Sequence, residues 1–233
     1  MAFIELHAPS VLDWTPKQTG DWYSSFSPSV YYESQIGRSR HPLQDKIEEA
    51  LDFEVAGGVG FAMVNGPTGC APDVAAYLSG EPDCMIDFDI IKNESAPIEV
   101  FIDIASSENI SAEDVALHIS NIASAAYQIG MSRPVTLNFY VAGRSNNKDY
   151  VVLLPKIHSW EVQDSRILAL ISDTRTVRES CYGEIHKQNS GKKGIKWPDS
   201  IIKFDGVMIN PLGGGFSVTP ISKEAAASKI LGQ

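Results

Sequence analysis

One segment of the chain combines lysines with an indole. Residues 175–203 hold 7 Lys+Arg and 3 Asp+Glu in a chain whose formal net charge is −10. Within them, HKQNSGKKGIKW (186–197) places small residues around its lysines. Lysines on a pliable loop can follow phosphates, and an adjacent indole can stack on unpaired bases. The segment therefore predicts a single-stranded nucleic-acid site composed of Lys187, Lys192, Lys193, Lys196, Trp197, Arg175 and Arg178.

The N-terminal region has a similar composition. Residues 8–42 are rich in Ser, Pro and Gly and keep neither a helical nor a strand period, which predicts an arm or long loop. Its aromatic rings would pack on the body or on a neighbouring subunit, or would bind a partner. Tyr31 and Tyr32 precede Arg38 and Arg40, and aromatics interleaved with arginines are typical of sequence-tolerant single-strand binding. We add these four residues to the predicted site; solvated basic loops are the alternative for both segments.

Three aspartates lie in strand-like segments. Asp87 and Asp89 share one face of MIDFDII, and Asp103 ends a second strand. Asp103-Ile-Ala-Ser-Ser resembles the Asp-x-Ser-x-Ser metal site of von Willebrand A-type domains, but Ala105 replaces the first serine. A hard divalent cation needs about six oxygen ligands. A metal-dependent enzyme that uses these aspartates is therefore a further hypothesis, although its metal-binding motif is incomplete.

The sequence contains no other catalytic pattern. Its five histidines include no i, i+4 pair, its three cysteines include no CxxC, and no GxSxG is present. The Gly-rich run at 56–69 lacks the Lys-Ser/Thr of a Walker loop, so a turn and a short buried strand are favoured there. We expect no enzymatic activity, no cofactor and no metal.

Composition bounds the class of protein. Hydrophobic residues are 43% and charged residues 21%, as in folded soluble proteins, and no apolar run has the 18 to 20 residues of a membrane span. The odd cysteine count and the lack of a secretory signal favour an intracellular protein. Residues 1–100 carry a net charge of −11 and residues 101–233 a net charge of +1, so the acid lies early in the chain.

The remaining segments predict the elements that position these residues. Helices are expected from Leu43 to Phe53, within 72–80, from the N-cap Ser111 to Gly130, in part of 165–186 and over 222–232. Strands are expected at 85–91, 97–105, 133–143, 149–157 and 201–210. This order favours an α/β or α+β fold, a central mixed sheet with packed helices, part of it von Willebrand A-like. We expect an arm at 1–42 and a single domain at 43–233, with a basic loop at 186–198.

Two segments carry a family resemblance. PDVAAYLSGEPDCM (72–85) and RPVTLNFYVAGR (133–144), with the strand-helix-strand block between them, resemble proteins of podoviruses that package a virion RNA polymerase. The resemblance implies a phage single-stranded DNA-binding RNA polymerase cofactor that self-associates, has no turnover and lacks an OB-fold. Its motifs are turns and strands, so it assigns no site residue.

The sequence thus predicts a non-specific single-stranded DNA-binding protein that recruits the phage RNA polymerase to unwound promoters. It would act as a homo-oligomer in the cytoplasm of the infected bacterial host, without contact with a membrane. The alternative is a von Willebrand A-like protein-interaction module that binds no nucleic acid and uses the aromatic arm for subunit exchange.

Overall fold

A computed structural model describes residues 1–5, 40–51, 61–66, 71–90, 97–106, 109–173, 181–188, 195–198, 202–213 and 216–232. These residues form nine strands, six α-helices and one 3-10 helix, Glu161–Gln163. The strands are β1 Ala2–Glu5, β2 Phe61–Gly66, β3 Ala71–Pro72, β4 Met85–Ile90, β5 Ile98–Asp103, β6 Val135–Ser145, β7 Lys148–Leu153, β8 Ile157–His158 and β9 Val207–Ile209. The helices are α1 Gln44–Ala50, α2 Val74–Ser79, α3 Ala112–Gly130, α4 Ser165–Ser172, α5 Tyr182–Gln188 and α6 Lys223–Leu231.

Strand β6 lies at the centre of the larger sheet. The strand order is β1-β7-β6-β5-β9, and β8 also pairs with β6. Strands β5, β6 and β9 are parallel, β7 and β8 run antiparallel to β6, and β1 is parallel to β7. This mixed sheet with packed helices confirms the predicted α/β fold.

Helix α3 makes the crossover that the parallel pair β5–β6 requires. Ser111 begins it, because its hydroxyl accepts the N–H of Asp114 at 3.0 Å, as the sequence predicted. Val115, Ile119, Ile122 and Ala126 follow at helical spacing and are all buried. The helix therefore packs by a continuous apolar stripe.

The larger sheet has two different faces. On the first face, Val135, Leu137, Phe139 and Val141 of β6 join a large apolar core that includes residues of α1, α3, α4, α5 and α6. On the second face, Tyr140 and Ala142 belong to a smaller cluster. That cluster also contains Val151, Ile202, Phe101, Leu153, Phe204 and Met208.

The structure divides the predicted strands between two sheets. The strand predicted at 85–91 is β4, which pairs with β2 and β3 in a separate three-stranded sheet. The strand predicted at 201–210 is shorter, because only Val207–Ile209 pairs with β5. Phe204 instead stacks on Phe101, with ring centroids 4.2 Å apart and an interplanar angle of 2°.

The predicted arm and the predicted basic loop each begin with regular structure. Residues 2–5 of the arm form β1, the edge strand beside β7. Residues 182–188 are helical, so the segment expected to be a loop from 186 begins as the end of α5. Residues 6–39 and 189–194 lie outside the described residues. Among the helices described, none has both the length and the apolar character needed to cross a membrane.

Two residues of α3 test this packing. Ile122 is fully buried in the first-face core, whereas Leu117 on the same helix is exposed. Ile122→Ala should lower the free energy of unfolding by about 2 to 5 kcal/mol, because it removes buried methyl groups and leaves a cavity. Leu117→Ala should change it by about 0.5 kcal/mol or less. Urea denaturation followed by circular dichroism measures both, and equal losses would contradict the assigned helix face.

Candidate nucleic-acid interface

Lys196 is bound to the end of β6. Its backbone exchanges two hydrogen bonds with Arg144: Arg144 N–H donates to the Lys196 carbonyl at 2.7 Å, and Lys196 N–H donates to the Arg144 carbonyl at 3.0 Å. Directly opposed residues of an antiparallel pair project from one face. Tyr140, Ala142 and Arg144 are spaced two residues apart in β6, so their side chains project from the same face. Arg144 and Lys196 therefore both lie on the second face of the sheet.

A glycine allows this close approach. A Cβ added at Gly143 would stand 2.6 Å from Ile195 Cγ2 and 3.2 Å from Ile185 Cδ1. Ile195 packs partly buried against the first-face core. The apolar contact of Ile195 thus anchors the short segment that carries Lys196 and Trp197.

The β6–β7 hairpin brings further charge to this end of the sheet. Asn146 and Asn147 have φ of 51° and 59°, the left-handed conformation of a two-residue hairpin turn. Beyond the turn, Lys148 Nζ lies 5.4 Å from the Tyr150 ring centroid. Asp149 pairs with Arg144 across the strands, with Nε and Oδ1 3.9 Å apart. Lys148 shares a strand face with Tyr150, which belongs to the first-face core, whereas Arg144 and Lys196 lie on the second face. Arg144 and Lys196 are hereafter the hairpin cations.

Two exposed tryptophans lie near opposite ends of β6. Trp197 follows Lys196 directly, and 36% of it is exposed. Trp160 is 61% exposed and stacks on His158, with centroids 4.4 Å apart and an interplanar angle of 11°. His158 is opposite Thr136 in β6, so its ring lies on the face that also holds Arg144. Thr136 and Arg144 are eight residues apart, which in a strand is roughly 26 Å.

Sequence reasoning missed Arg144, His158 and Trp160. The strand alternation of RPVTLNFYVAGR put Arg144 and Tyr140 on one face, and that was the available signal for Arg144. No local pattern indicates that Lys196 pairs with Arg144 or that His158 lies beside β6. Both contacts are long-range pairings.

Besides Lys196 and Trp197, the structure describes two of the predicted site residues, Lys187 and Arg40. Lys187 lies in α5, the helix that packs on β6 and β7. Arg40 forms ion pairs with Asp45, at 2.6 Å, and with Glu48, so two carboxylates of α1 balance its charge. The remaining predicted residues, Tyr31, Tyr32, Arg38, Arg175, Arg178, Lys192 and Lys193, lie outside the described residues.

The aspartates of the metal hypothesis are divided between the two sheets. Asp87 and Asp89 belong to β4, whereas Asp103 ends β5. Asp103 is buried, and its Oδ1 accepts the Ala105 N–H at 3.0 Å. Burial raises the pKa of Asp103 to about 7. In the described part of the chain, no three His, Cys, Asp or Glu side chains come together as a metal site.

A buried hydrogen bond between His41 and Asp173 joins helices α1 and α4. His41 Nδ1 accepts the Leu43 N–H at 3.1 Å, so its Nε2 donates to Asp173 Oδ2, which lies 2.9 Å away. His41 precedes α1 and Asp173 follows α4. The bond therefore fixes the start of α1 to the end of α4.

The fold and its site define an α/β protein with helices on one face of a mixed sheet and cations and aromatics on the other. The family model described as "Domain of unknown function (DUF7192)" matches residues 41–179. This range is more than half of the chain, so the chain belongs to that family. The matched range begins at His41 and includes Asp173 near its end. No curated protein and no solved structure matches the chain.

The buried Asp103 generates a pH prediction. Its pKa is about 7 in the folded chain against an ordinary value of 3.8, so the folded state retains a proton that the unfolded state releases. Its contribution to stability is full below about pH 4 and is lost as the pH rises through about 7. Asp103→Asn keeps an acceptor for Ala105 and cannot ionise. Relative to wild type, the variant should gain on the order of a few kcal/mol over that interval.

Urea denaturation of both proteins between about pH 4 and pH 7 measures this difference. Taking the difference between the two proteins cancels the contribution of the other titrating groups. A difference that stays constant over the interval would show that Asp103 has the same pKa in the folded and unfolded chains.

Proposed function

We propose that this protein binds single-stranded DNA without sequence preference, on the second face of the larger sheet. The observation that carries the proposal is the backbone pairing of Lys196 with Arg144, which holds Trp197 beside a second cation. Non-specific single-strand binders combine such a positive track with aromatic rings for base stacking.

The electrostatics of this pair favour a bound anion. Like charges that face each other directly across two strands destabilise the pairing. Lys196 and Arg144 are such a pair, with Asp149 on the far side of Arg144 as the described counter-charge. A phosphate between the two cations would offset their repulsion. The net charge of the chain is negative, but anion binding depends on the charge near the site more than on the net charge.

Base stacking supplies the preference for a single strand. Trp197 lies near one end of β6, and the Trp160–His158 stack lies near the other. Bases that are paired in a duplex cannot present their faces to either ring. A single strand that spans the two ends of β6, outside the residues that cover the middle of the second face, can contact both aromatic groups and the hairpin cations. Each stacked base contributes about 1 to 3 kcal/mol.

The resemblance to phage polymerase cofactors gives this activity a setting. We propose that the protein holds an unwound promoter single-stranded in the infected bacterial host while the phage RNA polymerase is recruited to it. Such a role requires binding without turnover, and self-association would extend the bound track. The arm residues Tyr31, Tyr32 and Arg38 and the loop residues Lys192 and Lys193 remain predicted contributors.

Fluorescence anisotropy with equal-length labelled single-stranded and duplex DNA tests the proposal across a salt series. Wild type should prefer the single strand. Lys196→Gln should reduce the slope of log K against log salt by about 0.7 for each phosphate contact removed. Trp197→Ala should weaken binding by about 1 to 3 kcal/mol, and Trp197→Phe should restore part of it because a ring remains.

Two matched variants control for charge and for lost aromatic surface. Lys46→Gln removes the same charge from α1, where Lys46 lies 3.8 Å from Glu49, and should leave the slope unchanged. Phe216→Ala removes a ring that is half exposed elsewhere and should leave affinity unchanged. Equal effects of Lys46→Gln and Lys196→Gln, or no binding to either DNA at low salt, would refute the proposal.

A further inference from the structure

Helix α2 turns large apolar side chains toward solvent. Val74, Tyr77 and Leu78 are 63%, 67% and 78% exposed. Their i, i+3, i+4 spacing places them on one face of the helix, hereafter the α2 apolar face. Single exposed apolar residues are ordinary, but a contiguous apolar face rimmed by polar groups marks an interaction site.

The helix that carries this face is fixed at both ends. Asp73 Oδ1 accepts the Ala76 N–H at 3.1 Å, and Asp73 N–H donates to the Cys84 carbonyl at 2.7 Å. At the other end, Gly80 has φ of 76°, and Glu81 N–H donates to the Ala76 carbonyl at 3.0 Å. Ala76 is buried on the side away from solvent. The α2 apolar face is therefore presented by an ordered, capped helix.

The surrounding charge defines what can cover this face. Residues 71–90, which form the helix and its two flanking strands, contain five Asp+Glu and no Lys or Arg, and the exposed residues Glu81 and Asp83 directly follow the helix. An acidic rim is repelled by anionic lipid surfaces. Symmetric pairing of two copies of α2 would bring like charges together. A partner with apolar residues bordered by Lys or Arg is complementary both to the apolar face and to its acidic rim.

We propose that the α2 apolar face is a docking surface for a cationic amphipathic helix of a partner protein. Val74, Tyr77 and Leu78 pack against the apolar stripe of that helix, and Glu81 and Asp83 face its basic flanks. Amphipathic helices are recognised by anchors at this spacing. Helix α2 connects β3 and β4 of the smaller sheet, whereas the hairpin cations lie on the larger sheet, so the proposal does not rest on DNA binding.

Three labelled peptides of equal length serve as probes for the full chain in anisotropy titrations. One is a helical Leu/Lys peptide with an apolar stripe, one replaces its lysines with glutamates, and one replaces its leucines with serines. The Leu/Lys peptide should bind at least about tenfold more tightly than the other two. Tyr77→Ser with Leu78→Ser should weaken that binding at least about tenfold, as expected for central anchors.

Val218→Ser is the matched control, because Val218 is exposed to a similar degree outside α2 and should not affect peptide binding. Urea denaturation confirms that each variant is folded. The proposal would be overturned if the Leu/Lys peptide bound wild type and the double variant equally, or if it bound neither. It would also be overturned if Val218→Ser reduced the affinity for the peptide as much as the double variant does. Sedimentation velocity that shows a dimer lost in the double variant would overturn it in favour of self-association.

Discussion

The pairing of β6 with its neighbours is the constraint on which the rest of the described structure depends. Strands β5, β7 and β8 all form backbone hydrogen bonds with it, and Lys196 bridges to its end. Because side chains alternate along a strand, a slip of one residue would exchange its two faces. Such a slip would bury Arg144 in the helical layer and expose Phe139, so burial of the apolar core also sets the position of the cations.

This coupling gives the protein two distinct surfaces on one sheet. The helices cover the first face with apolar side chains. Polar and aromatic groups lie near the two ends of β6. Gly143 contributes to both surfaces, since its missing side chain admits Ile195 to the core while the next residue, Arg144, pairs with Lys196. Core packing and the geometry of the interface are therefore determined by the same short stretch of chain.

The sequence predicts the elements whose information is local. Helix α3 is recognisable from its cap and apolar period, and β6 and β7 from their alternation, because these patterns directly reflect which side is buried. Of the proposed site, the sequence indicates only the contiguous part, Lys196 and Trp197, where composition alone suggests the chemistry. Arg144 and His158 join it through pairings between distant residues, which no local pattern records.

Other differences between the sequence prediction and the structure also arise from contacts between distant residues. Alternation identified the strand at 85–91 but not its partners, so its place in a separate sheet was not predictable. In IIKFDGVMIN the apolar residues satisfy two needs that look alike in sequence. Val207 and Ile209 belong to a strand, whereas Ile202 and Phe204 pack over the second face beside Phe101 and Tyr140.

Photo-cross-linking tests the central claim most directly. A single-stranded oligonucleotide that carries 5-iodouracil, irradiated with the full chain and followed by peptide mapping, reports which rings contact bases. We expect cross-links at Trp197 and Trp160, which lie near opposite ends of β6. Cross-links confined to α1, α3 or α6 in the helical layer, or no cross-link to single-stranded DNA, would contradict it.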